Sequence, residues 1–250
     1  MIPRSRPLRQ CARLGYHGRM SLFPDQTAVP ARVPLFPLGD VVFFPFTELP
    51  LHIFEPRYRE MVTYANEGAG HIAMATFEPG WEALYDGNPP IRPIVTVGRL
   101  VKVRPLDDGR WLISLVGVTR ARVAQEETDR PFRIGAVDVM PDEPLGDERR
   151  AAVAETDRIA DILRKTASPR TLHRLRPPDA ADDTNDQGII AFSYRIADAL
   201  KVDTAERIAM LHTPSVADRL ARAGSILGAY VELLASAPRG ERTFHGFSLN

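Results

Sequence analysis

Apolar residues recur along this chain with two different periods, and the change from one to the other divides it. From Val33 to Met140 the pattern is that of strands. Val33 to Leu38 and Val41 to Phe44 are short apolar runs interrupted by proline and by Gly39-Asp40. Proline brings no N–H to a ladder, so these runs belong at sheet edges or bends. Leu49 to Phe54 is another extended piece. The period then lengthens. Glu55-Pro56 reads as a helix start, and Tyr58, Met61, Val62 and Ala65 follow at helical spacing before Gly68 stops the run. His71 to Phe77 is again a strand, and Glu78 to Pro93 a long loop rich in Gly and Pro. Val95, Val97, Arg99, Val101 and Val103 alternate with other residues up to Asp107-Asp108-Gly109, a hairpin signal because the glycine accepts a positive φ. Trp111 to Val118 returns, Gly117 breaks the alternation as a bulge would, and Arg120 to Val123 resumes it. Phe132, Ile134, Ala136 and Val137 mark a last strand. Five or six strands with one short helix among them predict a small closed barrel, since closure leaves few exposed edges.

Pro141-Asp142-Glu143-Pro144 ends this regime, and only helical periods follow. Val153, Ile159, Ile162 and Leu163 form the first. Ser168 to Gly188 is rich in Pro and Asp and predicts a mobile loop. Ile189, Phe192, Ile196 and Leu200 share a stripe. Asp203 with Glu206 three residues on is a capping-box variant opening a short helix that ends near His212. Beyond Thr213-Pro214, Val216, Leu220, Ala223, Leu227, Tyr230 and Leu234 form a buried seam, with Asp218, Arg219, Arg222 and Glu232 placed off it. The predicted organisation is α+β: a barrel over 29–144, a helical bundle over 145–237 and a tail at 238–250. Residues 1–28 carry Arg4, Arg6, Arg9, Arg13 and Arg19 without a secretory apolar stretch. They read as an arginine-rich leader or as an over-extended start whose initiator is Met20, the second being favoured.

Composition narrows the function classes. Of 250 residues 44% are hydrophobic and 26% charged, an ordinary globular balance. Lys plus Arg and Asp plus Glu both number 32, so no global field favours nucleic acid or an anionic membrane. The single cysteine, Cys11, excludes an intramolecular disulfide and a cysteine metal cluster, and fits a reducing cytoplasm. No apolar run is long enough to span a bilayer.

Catalytic motifs are missing where they would be read. The lysines are Lys102, Lys165 and Lys201, and none follows glycine, so there is no phosphate-cradling Gly-Lys-Ser/Thr loop. No recognisable Ser–Lys pair is built from them either. His52 and Glu55 lack the second histidine of a zinc motif, and Asp182, Thr184, Asp186 and Gly188 only partly echo a calcium loop. No cofactor and no metal are expected.

The run Pro34-Leu35-Phe36-Pro37-Leu38-Gly39-Asp40-Val41-Val42-Phe43-Phe44-Pro45, followed by Leu49-Pro50-Leu51-His52-Ile53-Phe54-Glu55-Pro56-Arg57-Tyr58, resembles the N-terminal domain of Lon proteases, in its stand-alone bacterial form. Val97 to Leu100, Leu115 to Val123, Ile196 to Leu200 and His212 to Leu220 are similar to later motifs of that family in the same order, over about residues 32–235. The resemblance implies a PUA-like β pseudobarrel with one short helix, a helical bundle behind it, and a part in recognising protein substrates without ATPase or peptidase segments.

The expected function is therefore a non-catalytic module that binds unfolded or extended protein segments in protein quality control, with a separate protease as a candidate partner. Its candidate residues are Phe43, Phe44, Phe46 and Phe54, near Pro-restricted edges, with Arg57 and Tyr58. Barrel core is the competing assignment for the phenylalanines. RNA binding, as by other PUA-like barrels, and an enzyme with an unrecognised small-molecule pocket are the alternative classes, the first disfavoured by neutral charge.

Overall fold

The computed structural model describes residues 28–236, apart from Asp86, Glu143, 179–185 and the side chains of Leu234 and Ala235. The leader, the tail and most of the calcium-like loop thus lie outside the described residues. Strands β1 (Arg32–Leu38), β2 (Glu48–Ile53), β3 (His71–Thr76), β4 (Ile94–Pro105), β5 (Trp111–Glu127) and β6 (Arg133–Met140) form one mixed sheet in the order β2-β5-β4-β3-β1-β6. A further pairing of β5 with β6 closes five of them into a ring, as the strand pattern predicts. Only β1 and β3 run parallel among these pairs. Strand β5 spans 17 residues and serves both jobs: Trp111 to Val116 lies against β2, and Arg120 to Glu127 against β6. The change of course follows a register shift at Gly117, where the sequence places a bulge. The hairpin glycine, Gly109, has φ 78°.

Alternation sorts the barrel's side chains into two clusters. Val33, Leu35, Ala73, Ala75, Val95, Val97, Ala121 and Val137, from all five ring strands, pack inside. Phe36, Ile72, Met74, Ile113, Leu115 and Ile134 pack instead beneath helix α1 (Pro56–Glu67), whose Tyr58, Met61, Val62 and Ala65 face them. Proline opens α1 at its first turn, and Gly68 donates its N–H back to the Tyr64 carbonyl.

The back half comprises α2 (Arg149–Thr166), α3 (Pro169–Leu175), α4 (Asp186–Ala199), α5 (Thr204–His212) and α6 (Val216–Ser236). Helix α4 is its centre, with Ile189 to Tyr194, Ile196 and Ala197 buried in one run. The Asp203 carboxylate accepts from the Glu206 N–H 2.8 Å away, so the expected cap at α5 is present. Two expectations fail here. Ser168 to Leu175 is not loop: Ser168 caps α3 by accepting from the Thr171 N–H, and Leu175 is buried. Pro169 sits where a helix tolerates it, at the first turn. Arg219 is not off the seam but fully buried. Its partners explain that, as shown below.

A third expectation changes in kind. Val41 to Phe44 is extended but belongs to no strand. The stretch 41–47 is a strap between the two halves, its carbonyls met by side chains instead of a ladder. Thr76 Oγ1 donates to the Val41 oxygen, Arg207 to Val42, Thr96 Oγ1 to Phe43 at 2.6 Å, and Thr47 Oγ1 to Phe44. Arg195 Nε reaches the Phe46 oxygen at 3.4 Å. Gly117 exchanges backbone bonds with the strap's end, accepting from Phe46 N–H and donating to the Thr47 oxygen. A Cβ at Gly117 would collide with the Phe44 carbonyl, so glycine is required by close approach. Phe46 turns the strap at φ 61°, an uncommon conformation for a large side chain.

Candidate protein-binding surface

The strap decides where the aromatic candidates go. Successive extended residues point opposite ways, so Phe43 enters the barrel cluster beneath α1 while Val42 and Phe44 enter the helical core. Phe44 is 0% exposed, with the Arg207 guanidinium 5.1 Å from its ring centre. Phe46 packs partly buried against the helical core, stacked near Tyr194. Tyr58, on the buried face of α1, packs against Phe36, and burial pushes its phenol up to about 12. Phe54, at 61% exposure, reaches solvent substantially, and Arg57 is partly buried. The structure thus separates the six candidates: Phe43, Phe44 and Tyr58 join packing, Phe46 stays at the seam, and Phe54 and, in part, Arg57 reach the surface beside Glu55.

That face gains residues the sequence reading placed in a loop. Tyr85 donates its hydroxyl to Glu55 Oε1 at 2.8 Å, and Glu55 Oε2 accepts from Arg57 Nε at 3.0 Å. The Arg57 guanidinium lies between two rings, 4.6 Å from Tyr58 and 5.0 Å from Tyr85. Desolvation first, then the Glu55 carboxylate, raises the Tyr85 phenol, which keeps it a donor. The polar groups at this corner satisfy one another, and the apolar ones do not. Phe54 stands next to Glu55, and Leu84, 54% exposed, next to Tyr85. Leu84 belongs to a single 3-10 turn, Trp81–Leu84, inside the long loop. The signal for it was Trp81, Leu84 and Tyr85 in a stretch otherwise made of Gly, Pro and polar residues. On the outer side of α1 runs a groove of about 670 Å³ lined by Arg59, Tyr64, Trp111, Arg130 and Phe132 among others.

The sheet edge beside Phe54 is a poor template for an added strand. Strand β2 pairs on one side only, with β5. Gly117 N–H donates to the Thr47 oxygen, and alternation from that pair turns the Pro50 nitrogen outward. The middle of the free edge therefore lacks a donor, and Glu48 sits at its start.

A second polar cluster lies where barrel and bundle meet. Asp142 Oδ1 accepts from Tyr194 Oη at 2.8 Å, from Arg219 at 3.2 Å and from Arg120 at 3.4 Å. The two guanidinium groups also donate to the Leu211 and Thr213 carbonyls at the end of α5. Arg219 lies 3.8 Å from the Tyr194 ring centre. The Tyr194 phenol is driven far up by burial. These groups are buried and joined to each other, which makes the cluster a structural joint. Among the described residues no group of His, Cys, Asp and Glu could hold a metal, and Lys102, Lys165 and Lys201 are exposed. His52 is exposed on β2, 6.0 Å from the Phe54 ring. No described helix is long and apolar enough to cross a membrane.

The chain is similar to Lon proteases in sequence and to Lon N-terminal domains in fold. The chain is 29% identical over 217 residues to the Lon protease of Desulfovibrio desulfuricans, covering 82% of this chain and 23% of that protein. It is 30% identical over 212 residues to the Lon protease of Azorhizobium caulinodans, covering 80% and 23%. The Lon protease 2 of Bdellovibrio bacteriovorus is 27% identical, covering 86% and 26%. The chain therefore spans about a quarter of the length of these relatives. In fold it is similar to the N-terminal domain of the Mycobacterium avium complex Lon protease, with a TM-score of 0.59 at 16% identity over 79% of this chain and 98% of that one. It is also similar to the Lon N-terminal domain protein of Xanthomonas campestris, with a TM-score of 0.51 at 21% identity, covering 83% and 99%. The sequence profile of one family spans residues 32–229, and the chain belongs to that family, the ATP-dependent protease La (LON) substrate-binding domain.

Proposed function

We propose that this chain is a non-catalytic protein-binding module of the cytoplasm, taking up unfolded or extended segments of other proteins and acting in protein quality control, in company with a separate protease. The observation that carries the reading is the exposure of Phe54, Leu84 and Tyr85, each in or next in sequence to the bonded Glu55–Arg57–Tyr85 corner. Large apolar side chains held at a surface whose polar neighbours already have partners gain most from a partner's apolar surface. Family membership supports the same reading, and so does the PUA-like barrel with helical companion that the motifs imply. Recognition works through side chains rather than an added strand, because Pro50 interrupts the free edge of β2.

Binding of reduced, carboxymethylated α-lactalbumin, which cannot refold, tests this. Wild-type chain is expected to retain it on a column, and the Phe54→Asp, Leu84→Asp double variant to lose most of that retention while keeping its unfolding midpoint. Equal retention by both proteins sinks the assignment of this face.

A further inference from the structure

The loop that supplies Leu84 and Tyr85 also supplies Trp81, and Trp81 is placed unlike its neighbours. Its ring stacks on Phe77 with centroids 5.0 Å apart and planes 18° from parallel, and meets Tyr85 edge-on at 5.7 Å. Its six-membered ring lies against Gly39: a Cβ built there would stand 2.5 Å from Cζ2, 3.0 Å from Cε2 and 3.3 Å from Cη2. Gly39 is not in the left-handed region, so its backbone would accept a side chain, and the space is kept free for the indole alone. Gly39 and Phe77 therefore form a seat for one planar ring, which Tyr85 meets at its edge. Phe77, the wall, is fixed: it is 5% exposed, and its N–H donates to the Leu38 oxygen.

The occupant is held far less firmly than the slot. The 3-10 turn has no buried residue and no side-chain cap, and it follows Gly80 at φ 84°. Glu82, Ala83, Leu84 and Tyr85 are all exposed. Beyond ring contacts, the described tie from this turn to the body is the Tyr85–Glu55 bond. Segments with few buried contacts open locally at low cost compared with the rest of a fold.

We propose that Trp81 is a built-in occupant of an aromatic-side-chain slot, and that an aromatic residue of a bound segment displaces it. This rests on the protein-binding function proposed above and adds to it a self-blocking contact. An internal occupant lowers the apparent affinity by the fraction of time the slot stands open. Emptying the slot must therefore strengthen binding, and filling it permanently must not.

The two tryptophans, Trp81 and Trp111, give two fluorine resonances when the chain is made with 5-fluorotryptophan, and Trp111→Phe assigns them. Reduced, carboxymethylated α-lactalbumin is silent in that spectrum. On its addition the Trp81 resonance is expected to move while Trp111 holds still. Trp81→Ala is expected to bind the probe several-fold more tightly, with the Trp111 resonance reporting an intact fold. Gly39→Ala, which evicts the indole but occupies its seat, is expected to bind no more tightly than wild type. Weaker binding by Trp81→Ala, or tighter binding by Gly39→Ala, overturns the proposal. So does probe binding that leaves the Trp81 resonance unmoved, which spares the protein-binding function itself. Failure of both wild type and Trp81→Ala to bind removes both, whereas binding by Trp81→Ala alone supports the block.

Discussion

Asp142 sets one carboxylate against two guanidinium groups, all three side chains being 3% exposed or less. The α5 carbonyls that accept from the same arginines supply the remaining negative charge, as a helix C-terminus does. Removing one partner of a buried pair strands the other, at a cost of about 3–5 kcal/mol. Asp142→Ala strands two cations and is expected to fall in that range by urea denaturation. Arg219→Met leaves Asp142 balanced by Arg120 and keeps an apolar stem against Tyr194, so a smaller loss is expected. This joint also explains why Arg219 was misread from sequence. Periodicity scores an arginine as surface, and nothing local reveals a partner 77 residues earlier in the chain.

Elements whose information is local were legible. The cap Asp203, the helix-opening Pro56, the hairpin glycine Gly109 and the bulge at Gly117 each act within a few residues of themselves, and each is found. The strap was not, because Val41 to Phe44 has a strand's composition and only the distant Thr96, Arg195 and Arg207 make a ladder unnecessary. The face at Tyr85 escaped for a similar reason: its bond to Glu55 spans 30 residues and starts in a Gly- and Pro-rich loop. Phe54 is exposed whereas Phe43 and Phe44 are core, a difference that residue type alone does not reveal. Gly117→Ala tests the strap at its tightest point. Its Cβ must push the Phe44 carbonyl and disturb both backbone bonds to the strap, an overpacking expected to cost about 1–3 kcal/mol. An unchanged urea midpoint would show that the strap can yield.

Over the whole molecule the two halves depend on each other unequally. The barrel clusters contain no residue beyond Val137. The helical cluster, by contrast, includes Val42 and Phe44 from the strap, with Phe46 packed beside it. A fragment of residues 28–141 is expected to keep a β-rich circular dichroism spectrum and a cooperative thermal transition. A fragment of residues 142–236 is expected to lack a cooperative transition, since its core has lost two buried side chains and Arg207 and Arg195 have lost their acceptors. A cooperative transition in the second fragment would show that the strap only decorates a self-sufficient bundle.

The strap has a consequence for how such chains can be recombined. A graft cut at Pro141 would move the helices and leave behind part of their own core, the side chains of Val42 and Phe44 with Phe46 beside them, in the donor's front half. Exchanging helical halves between relatives therefore requires the strap to travel with the helices. The natural seam for building chimeras is not the turn between β6 and α2 but a discontinuous one, which takes residues 41–47 together with the back half.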